Sequence, residues 1–386
     1  MGVVRGAAAG AALTRHTAAG RGGATGNPGT MDLHVLVPGE LALRTGGYGY
    51  ARRAIAGLRT LGLRVSVHTL SAVFPRPDPA ALRQADAVLR GIADRSVVLV
   101  DGLAYGAMPG VVQRHADRLR LVALVHHPLA MEGGLQEDEA RRLRAGEADA
   151  LRVAARVITT SRATASLLRD YGVAPSRVDV AVPGTDPAPL ARGSQADPAS
   201  GLHPATVMLC VATLTPRKGH AVLLDALARQ PSEGWRLRCV GSATRDPDTA
   251  ERVRARIGAL GLRERVTLCG EVDDAALARH YDEADLFVLA SSMEGYGMAL
   301  AEALARGLPV IATTAGAIPD TVPAGAGILV APGDAGALAG AMARFLDEPA
   351  LRRSLRDGAT RARQDLPDWP EACRTLHRIL QRVADR

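Results

Sequence analysis

The segment SSMEGYGMALAEALARGLPVIATTAGAIPD (residues 291–320) decides how the chain is read. An apolar strand-like run, LFVLAS (286–291), leads into it. A glycine loop follows, a helix begins near Met298, and a second apolar run, LPVIATT (308–314), comes after the helix. Strand, loop, helix and strand in this order mark a parallel βαβ unit. Glu294 falls in the loop and Glu302 in the first turns of the helix, seven residues intervening. Their carboxylates therefore reach different parts of one extended ligand. Free amides around Gly297 and Met298, at a helix N-terminus, suit a phosphate. The glycines let the backbone come close to it. The bland alternative is a pair of glutamates on a helix and its cap.

Outward from this segment the same rhythm repeats. Strand-like runs occur at 33–38, 63–70, 97–102, 121–127, 156–161 and 178–184, with helical stretches such as Tyr50–Leu61 and Ala163–Tyr171 between several of them. The stretch 183–204 is rich in Pro, Gly, Ala and Ser and lacks periodicity, as a linker does. Strand-like runs then resume at 206–212, 236–241, 265–270, 286–291, 308–314 and 327–332. Helices are expected at His220–Gln230, Asp273–Asp282 and Met298–Arg306, and an amphipathic tail at Trp369–Arg386. The expectation is an α/β chain of two Rossmann-like domains, with the ligand cleft between them at the carboxyl ends of the strands. The bounds expected are a leader at 1–30, a first domain at 31–185, a linker at 186–204, a second domain at 205–365 and a C-terminal helix at 366–386 that packs back on the first domain. The leader holds almost nothing large to bury. It reads as disordered or as an upstream start before Met31, with a weak signal peptide on Ala7–Leu13 as the alternative.

Composition agrees. The chain has 386 residues, too many for one small core, and only 3% are aromatic, so aliphatic strands must build the interior. No apolar run approaches the roughly 18 residues of a membrane span. The net charge is +7, of which Arg5, Arg15 and Arg21 contribute +3 from a leader without acids. The remaining +4 is mixed with acids along the helices, which argues against a nucleic-acid partner. Peripheral contact with acidic lipid stays open. Cys210, Cys239, Cys269 and Cys373 show no CxxC or Cys/His spacing and read as buried free thiols in a reducing compartment, the cytoplasm.

One basic residue stands apart. Of 47 Lys and Arg residues, Lys218 is the single lysine, in PRKGH (216–220). A compact ammonium beside a glycine, at the start of a helix, suits a phosphate approached end-on.

Taken together, EGYGMALAEALARGLPVIAT (294–313), TGGYG (45–49), HHPLA (126–130), VITTSRAT (157–164), VPGTDP (182–187), PRKGH, VGS (240–242) and VTLCGEV (266–272) resemble the retaining GT-B-fold glycosyltransferases of family 4, the group 1 E-x7-E enzymes. The resemblance runs from Met31 to the C-terminus. It implies two Rossmann-like domains whose parallel sheets face across a cleft. It also implies transfer of a hexose from a UDP- or GDP-linked sugar to a carbohydrate, lipid or small-molecule acceptor, without a metal or other cofactor. Lys218 would bind the donor diphosphate, Glu294 the donor sugar hydroxyls, and Glu302 the ribose. The backbone of Gly295, Tyr296, Gly297, Met298 and Ala299 would lie nearby, and Gly270, Glu271 and Val272 would line the base pocket. Gly46 and Gly47 would let the first domain's loop approach the phosphate and the acceptor. His127 is the better match to the family's cleft histidine, with His126 as the competing register and a buried structural histidine as the alternative for His127. Tyr48, Asp101 and His126 are the acceptor-side candidates. Tyr50, Tyr105 and Tyr296 are read either as stacking groups or as loop packing.

The chain departs from the family in two places. Thr213 stands five before Lys218, where the family commonly has an arginine, so one diphosphate cation is missing. Arg217 either replaces it or points to solvent. Asp320 stands in GAIPD where the family has a longer acid. A lysine, a helix N-terminus and loop amides can together hold the charge of a leaving nucleoside diphosphate. Asp273–Asp274 reads as a helix cap, not a metal site. The rival readings are a sugar-nucleotide epimerase or phosphorylase on the same fold, and an inactive nucleotide-binding protein.

Overall fold

The computed structural model of the protein describes residues 31–194, 205–231 and 233–386. Expectations for the leader and for 195–204 lie outside these residues. Six strands, β1 (Asp32–Pro38), β2 (Arg64–Leu70), β3 (Val97–Asp101), β4 (Arg120–Val125), β5 (Arg156–Thr159) and β6 (Val178–Val180), form a first sheet in the order β2-β1-β3-β4-β5-β6. Six more, β7 (Thr206–Val211), β8 (Trp235–Val240), β9 (Val266–Gly270), β10 (Leu286–Leu289), β11 (Val310–Thr313) and β12 (Gly327–Val330), form a second in the order β12-β11-β10-β7-β8-β9. Both sheets pair in parallel throughout. Every strand-like run of the sequence becomes a strand. The reason is visible in β3, where all five residues are buried. A strand covered on both faces needs an unbroken apolar run, and such runs are legible without context.

The strand orders place the cleft. In the first sheet the order reverses between β1 and β3, and in the second between β7 and β10. Loops leaving strands on either side of such a reversal diverge and leave a crevice beyond the strand ends. Gly46 follows β1, Asp101 ends β3, and Lys218 and Glu294 follow β7 and β10. The sequence candidates therefore flank both reversals.

The expected helices form, shorter by one to four residues at several C-termini, as at Arg162–Leu167, His220–Leu227 and Met298–Ala305. The one expected at Tyr50–Leu61 already begins at Gly46, so Gly46 and Gly47 lie in its first turn and not in a loop. Asp273 caps its helix, accepting from the Ala276 amide at 2.7 Å, so it acts as the cap the sequence implied. The last helix, Trp369–Ala384, buries Trp369, Ala372, Cys373, Leu376, Ile379, Leu380 and Val383 in one core cluster with Leu33, Val35, Leu99 and Leu58 of the first domain. The 3–4 spacing of these side chains forms one apolar stripe, and each large one contributes about 1.5–3 kcal/mol on burial. This returning helix ties the chain's end to its first sheet.

The described half of the linker is anchored. Backbone amides of Thr185, Ala191 and Gly193 donate to the carbonyls of Pro367, Arg306 and Asp282 at 2.7, 2.9 and 2.9 Å. All four cysteines are free. Cys210, Cys239 and Cys373 are buried as expected, but Cys269 is only half-buried, because β9 is the edge strand of its sheet.

Candidate active site

Lys218 ends a single turn of 3-10 helix, Pro216–Lys218, closed by Gly219 at φ +68°. A Cβ on Gly219 would overlap the carbonyl oxygen of Ala290, so the turn can lie against the end of β10 only with glycine there. This seats Lys218 beside the Glu294 loop. Its Nζ donates to Glu294 Oε1 at 2.6 Å, and Ser291 Oγ donates to the same oxygen at 2.7 Å. Glu294 is 6% exposed. Burial alone would raise its carboxyl, but the charges of Lys218 and Arg217 and the two hydrogen bonds hold it below the usual range. It is an ionised carboxylate held by a cation.

Arg217 does not point to solvent. Its Nη1 donates to the Met293 carbonyl at 2.7 Å and lies 3.7 Å from Glu294 Oε2, and its Nε donates to Glu132 Oε1 at 3.0 Å. Two cations thus converge on the loop after β10. Thr213 leaves the position of the family's arginine without charge.

Glu302 lies in the second turn of the helix Met298–Ala305, where Tyr281 Oη donates to its Oε2 at 2.9 Å. Burial raises its carboxyl, and the Tyr281 bond and Arg306 oppose this only in part. Gly297 precedes this helix at φ +90°. The amides of Met298 and Ala299 are among those a first turn leaves without intrahelical partners. Tyr296 is packed inward, and its carbonyl accepts from Thr321 Oγ1 at 2.5 Å. Asp320 lies exposed in the short helix Ile318–Thr321.

The two domains meet here through glycines. A Cβ on Gly295 would overlap the carbonyl oxygen of His126, and one on Gly133 would overlap the backbone of Arg217. Thr160 Oγ1 bridges the His126 and Gly295 carbonyls at 3.3 and 3.4 Å. By contrast, Gly46 and Gly47 are not demanded by the protein's own packing. A Cβ on Gly46 would meet only Met298 Sδ at 3.8 Å, and one on Gly47 only the His126 ring at 3.9 Å. Space is left at the start of the helix Gly46–Thr60, opposite the Glu294 loop.

The two histidines separate. His126 faces its own domain: its ring packs edge-on against Tyr50 at 5.4 Å between centroids, and its Nε2 lies 3.4 Å from Asp101 Oδ2 without making a hydrogen bond. His127 faces the second domain through Glu132, with Nε2 3.2 Å from Glu132 Oε2. Burial lowers the His127 ring, more than the Glu132 bond raises it, so it is neutral near pH 7. A carboxylate only accepts, so the proton sits on Nε2. Burial would raise Glu132, but the His127 bond and the Arg217 charge bring it down to about 2. Beneath this loop, Glu147 is fully buried, and its Oε2 accepts from the Leu129 amide at 2.8 Å. Burial pushes its carboxyl up to about 8.

Asp101 caps a short helix through the Leu103 amide at 2.9 Å and is 8% exposed, so its carboxylate is turned inward. Tyr50 and Tyr105 are buried in the cores and are packing groups, not stacking surfaces. Tyr48 stays half-buried, with its Oη donating to the Pro38 carbonyl at 2.5 Å and the Arg245 guanidinium 5.5 Å over its ring. Gly270 ends β9 at φ +69°, Glu271 is exposed, and the Val272 carbonyl accepts from Arg44 Nη1 at 2.6 Å. Sequence reasoning missed Glu132, Ser291, Tyr281, Arg44 and Arg245. Only Glu132 carried a signal, an acid five residues after His127. Among the described residues, no three His, Cys, Asp or Glu side chains are assembled to hold a metal ion.

The chain is similar to known proteins over most of its length. The family described as "Glycosyl transferases group 1" matches residues 196–362, and that described as "Glycosyltransferase Family 4" matches 38–188. The MMP alpha-(1->4)-mannosyltransferase of Mycolicibacterium hassiacum is 29% identical over 80% of this chain and 76% of its own length. The D-inositol 3-phosphate glycosyltransferase of Acidothermus cellulolyticus is 32% identical over 71% of this chain and 65% of its own. Of another such enzyme, from Catenulispora acidiphila, the match spans about half, 51%. Among solved structures, sucrose-phosphate synthase from Thermosynechococcus elongatus superposes with a TM-score of 0.77 at 22% identity, covering 92% of this chain and 99% of that one. HepE of Anabaena in complex with UDP-glucose superposes at 0.70 and 20%, covering 91% and 99%. The chain belongs to the group 1, family 4 glycosyltransferases and is a glycosyltransferase of the GT-B fold.

Proposed function

We propose that the protein transfers a hexose, with retention of configuration, from a UDP- or GDP-linked sugar to a carbohydrate, lipid or small-molecule acceptor in the cytoplasm. The observation that carries this reading is the pairing of Lys218 with Glu294 at 2.6 Å, at the strand reversal of the second sheet and opposite the space left at Gly46 and Gly47. A diphosphate entering this crevice would meet Lys218, Arg217 and the first-turn amides of the helix Met298–Ala305. Glu294 would then turn from Lys218 to the sugar hydroxyls, and Glu302 would take the ribose. Breaking the glycosyl–phosphate bond leaves added charge on the diphosphate, and fixed cations lower the barrier to that step. These cations make a divalent metal unnecessary in our reading. His127, neutral and fixed by Glu132, would offer Nδ1 to the sugar side of the cleft. The relatives named for inositol 3-phosphate and for mannosyl transfer support a hydroxyl-bearing acceptor. Among the described residues no helix is long and apolar enough to cross a membrane.

The test is a thermal-shift screen with UDP, GDP, ADP and their sugars, followed by assignment of the product's anomeric configuration by NMR. A ligand at about 100 times its Kd should stabilise the protein by roughly 2.7 kcal/mol. Absence of any shift, or an inverted product, would overturn the corresponding part of the reading.

A further inference from the structure

We propose that Arg217 is the second diphosphate cation of this chain, replacing the one missing at Thr213, and that Glu132 is the positioning residue that holds it until the donor arrives. The inference rests on reading Lys218 as a diphosphate ligand. Three observations carry it. Arg217 neighbours Lys218 on the same turn, is only 14% exposed along its side chain, and is aimed at the Glu294 loop through the Met293 carbonyl at 2.7 Å. Its other face meets a carboxylate from the opposite domain, Glu132 Oε1, 3.0 Å from Nε. That carboxylate arrives on a loop pressed against the Arg217 backbone at Gly133, where any Cβ would collide. The approach is therefore fixed by backbone packing, not by chance rotamers of two long side chains.

Glu132 faces two partners at once. Oε1 accepts from Arg217 and Oε2 from His127 at 3.2 Å. A carboxylate between an arginine and a cleft histidine occupies the charge that a donor phosphate would bring. When the diphosphate binds, Arg217 keeps the Met293 bond and exchanges Glu132 for a phosphate oxygen. Glu132 keeps His127, fixing the ring's proton on Nε2. The bridge thus joins the two domains in the donor's absence and competes with the donor for one cation. A competitor that also orients the reacting site has an unusual signature. Its removal should tighten nucleotide binding and slow turnover together.

The experiment measures UDP and GDP binding by calorimetry, and kcat and KM with the donor that the screen identifies, on the full chain. Glu132→Gln keeps an oxygen for His127 but removes the charge. We expect its nucleoside diphosphate affinity to rise about two- to fivefold, the range for losing a partly exposed ion pair, while kcat falls. Glu132→Ala, which also frees the His127 ring, should lower kcat further. In Arg217→Gln, binding should weaken and a second change at Glu132 should bring no gain. Thr213→Arg in the Arg217→Gln background should recover binding. Unchanged or weaker affinity in Glu132→Gln, with binding still lost in Lys218→Gln, would overturn the placeholder and leave the donor site standing. Binding that survives Lys218→Gln would overturn the donor-site reading, and this inference with it. A structural role for Glu132 alone would lower kcat without tightening nucleotide.

Discussion

Lys218 Nζ lies 2.6 Å from Glu294 Oε1, and the two residues stand on turns that leave neighbouring strands, β7 and β10, on either side of the strand reversal. The lone lysine and the first glutamate of the E-x7-E pair are thus one ionic unit in the ligand-free protein. Each neutralises the other; in the proposed function a diphosphate and a sugar would take their places.

Lys218→Ala should abolish most turnover and also lower stability, because it strands a buried carboxylate. Breaking a buried pair costs on the order of 3–5 kcal/mol, and the Arg217 charge should limit the loss to about 2–3 kcal/mol. Adding Glu294→Gln should restore stability without restoring activity. Urea melts of the single and double variants test this; a double variant no more stable than Lys218→Ala would disprove the coupling. Lys218→Arg should remain poor, since a planar fork replaces a point charge.

Glu294 and Glu302 should fail differently. A contact that strengthens in the transition state sets kcat, whereas one equal in both states sets KM. Glu294→Gln should chiefly lower kcat and leave nucleotide binding nearly normal. Glu302→Gln keeps an acceptor for Tyr281 but loses the charge toward the ribose, so donor KM should rise and nucleoside diphosphate binding weaken by about 1–3 kcal/mol. The opposite ranking in calorimetry would reverse the placement.

Glu147 should make stability fall with rising pH. Its carboxyl is pushed up to about 8 by burial, against an ordinary value of 4.5. Between these values the folded chain holds a proton that the unfolded chain has lost. Stability then declines by about 1.4 kcal/mol per pH unit through that window and is level on either side. Glu147→Gln should remove this contribution, so the gap between melts at pH 5 and pH 8 should narrow. An unchanged gap would mean the carboxyl titrates normally.

Gly295→Ala should weaken catalysis without unfolding either sheet. The new Cβ would strike the His126 carbonyl and push the two loops apart. A displacement of about 1 Å in reacting groups can cost around 100-fold in rate. Loss of kcat with an unchanged melting midpoint is the expected result; full activity would show that this contact does not set the cleft.

Activity should withstand thorough EDTA treatment, because in the proposed reaction Lys218, Arg217 and the helix N-terminus would already place positive charge where the diphosphate leaves. Loss of turnover that magnesium or manganese restores would contradict this.

The strands were legible because each is a short aliphatic run bounded by turn residues, and a buried parallel strand needs nothing more from its surroundings. The E-x7-E segment was legible for a similar reason. Its loop and helix are contiguous, so spacing along the chain is spacing in space. The Lys218 turn was found by its singular residue type. Glu132 and Arg217 lie 85 residues apart, and Arg44 and the Val272 carbonyl 228 apart. Local periodicity says which face of an element is buried, never which loops of two domains will meet. That meeting depends on the strand reversals, on the returning helix Trp369–Ala384, and on backbone approaches permitted at Gly133 and Gly295. It turned Arg217 inward, buried Asp101 and Tyr105, and set the His127 ring against Glu132 and the His126 ring against Tyr50. The sequence by itself determined the two sheets and the residues that can carry charge to a donor; only the tertiary structure decided which of those charges face one another, because that depends on packing between segments remote in the chain.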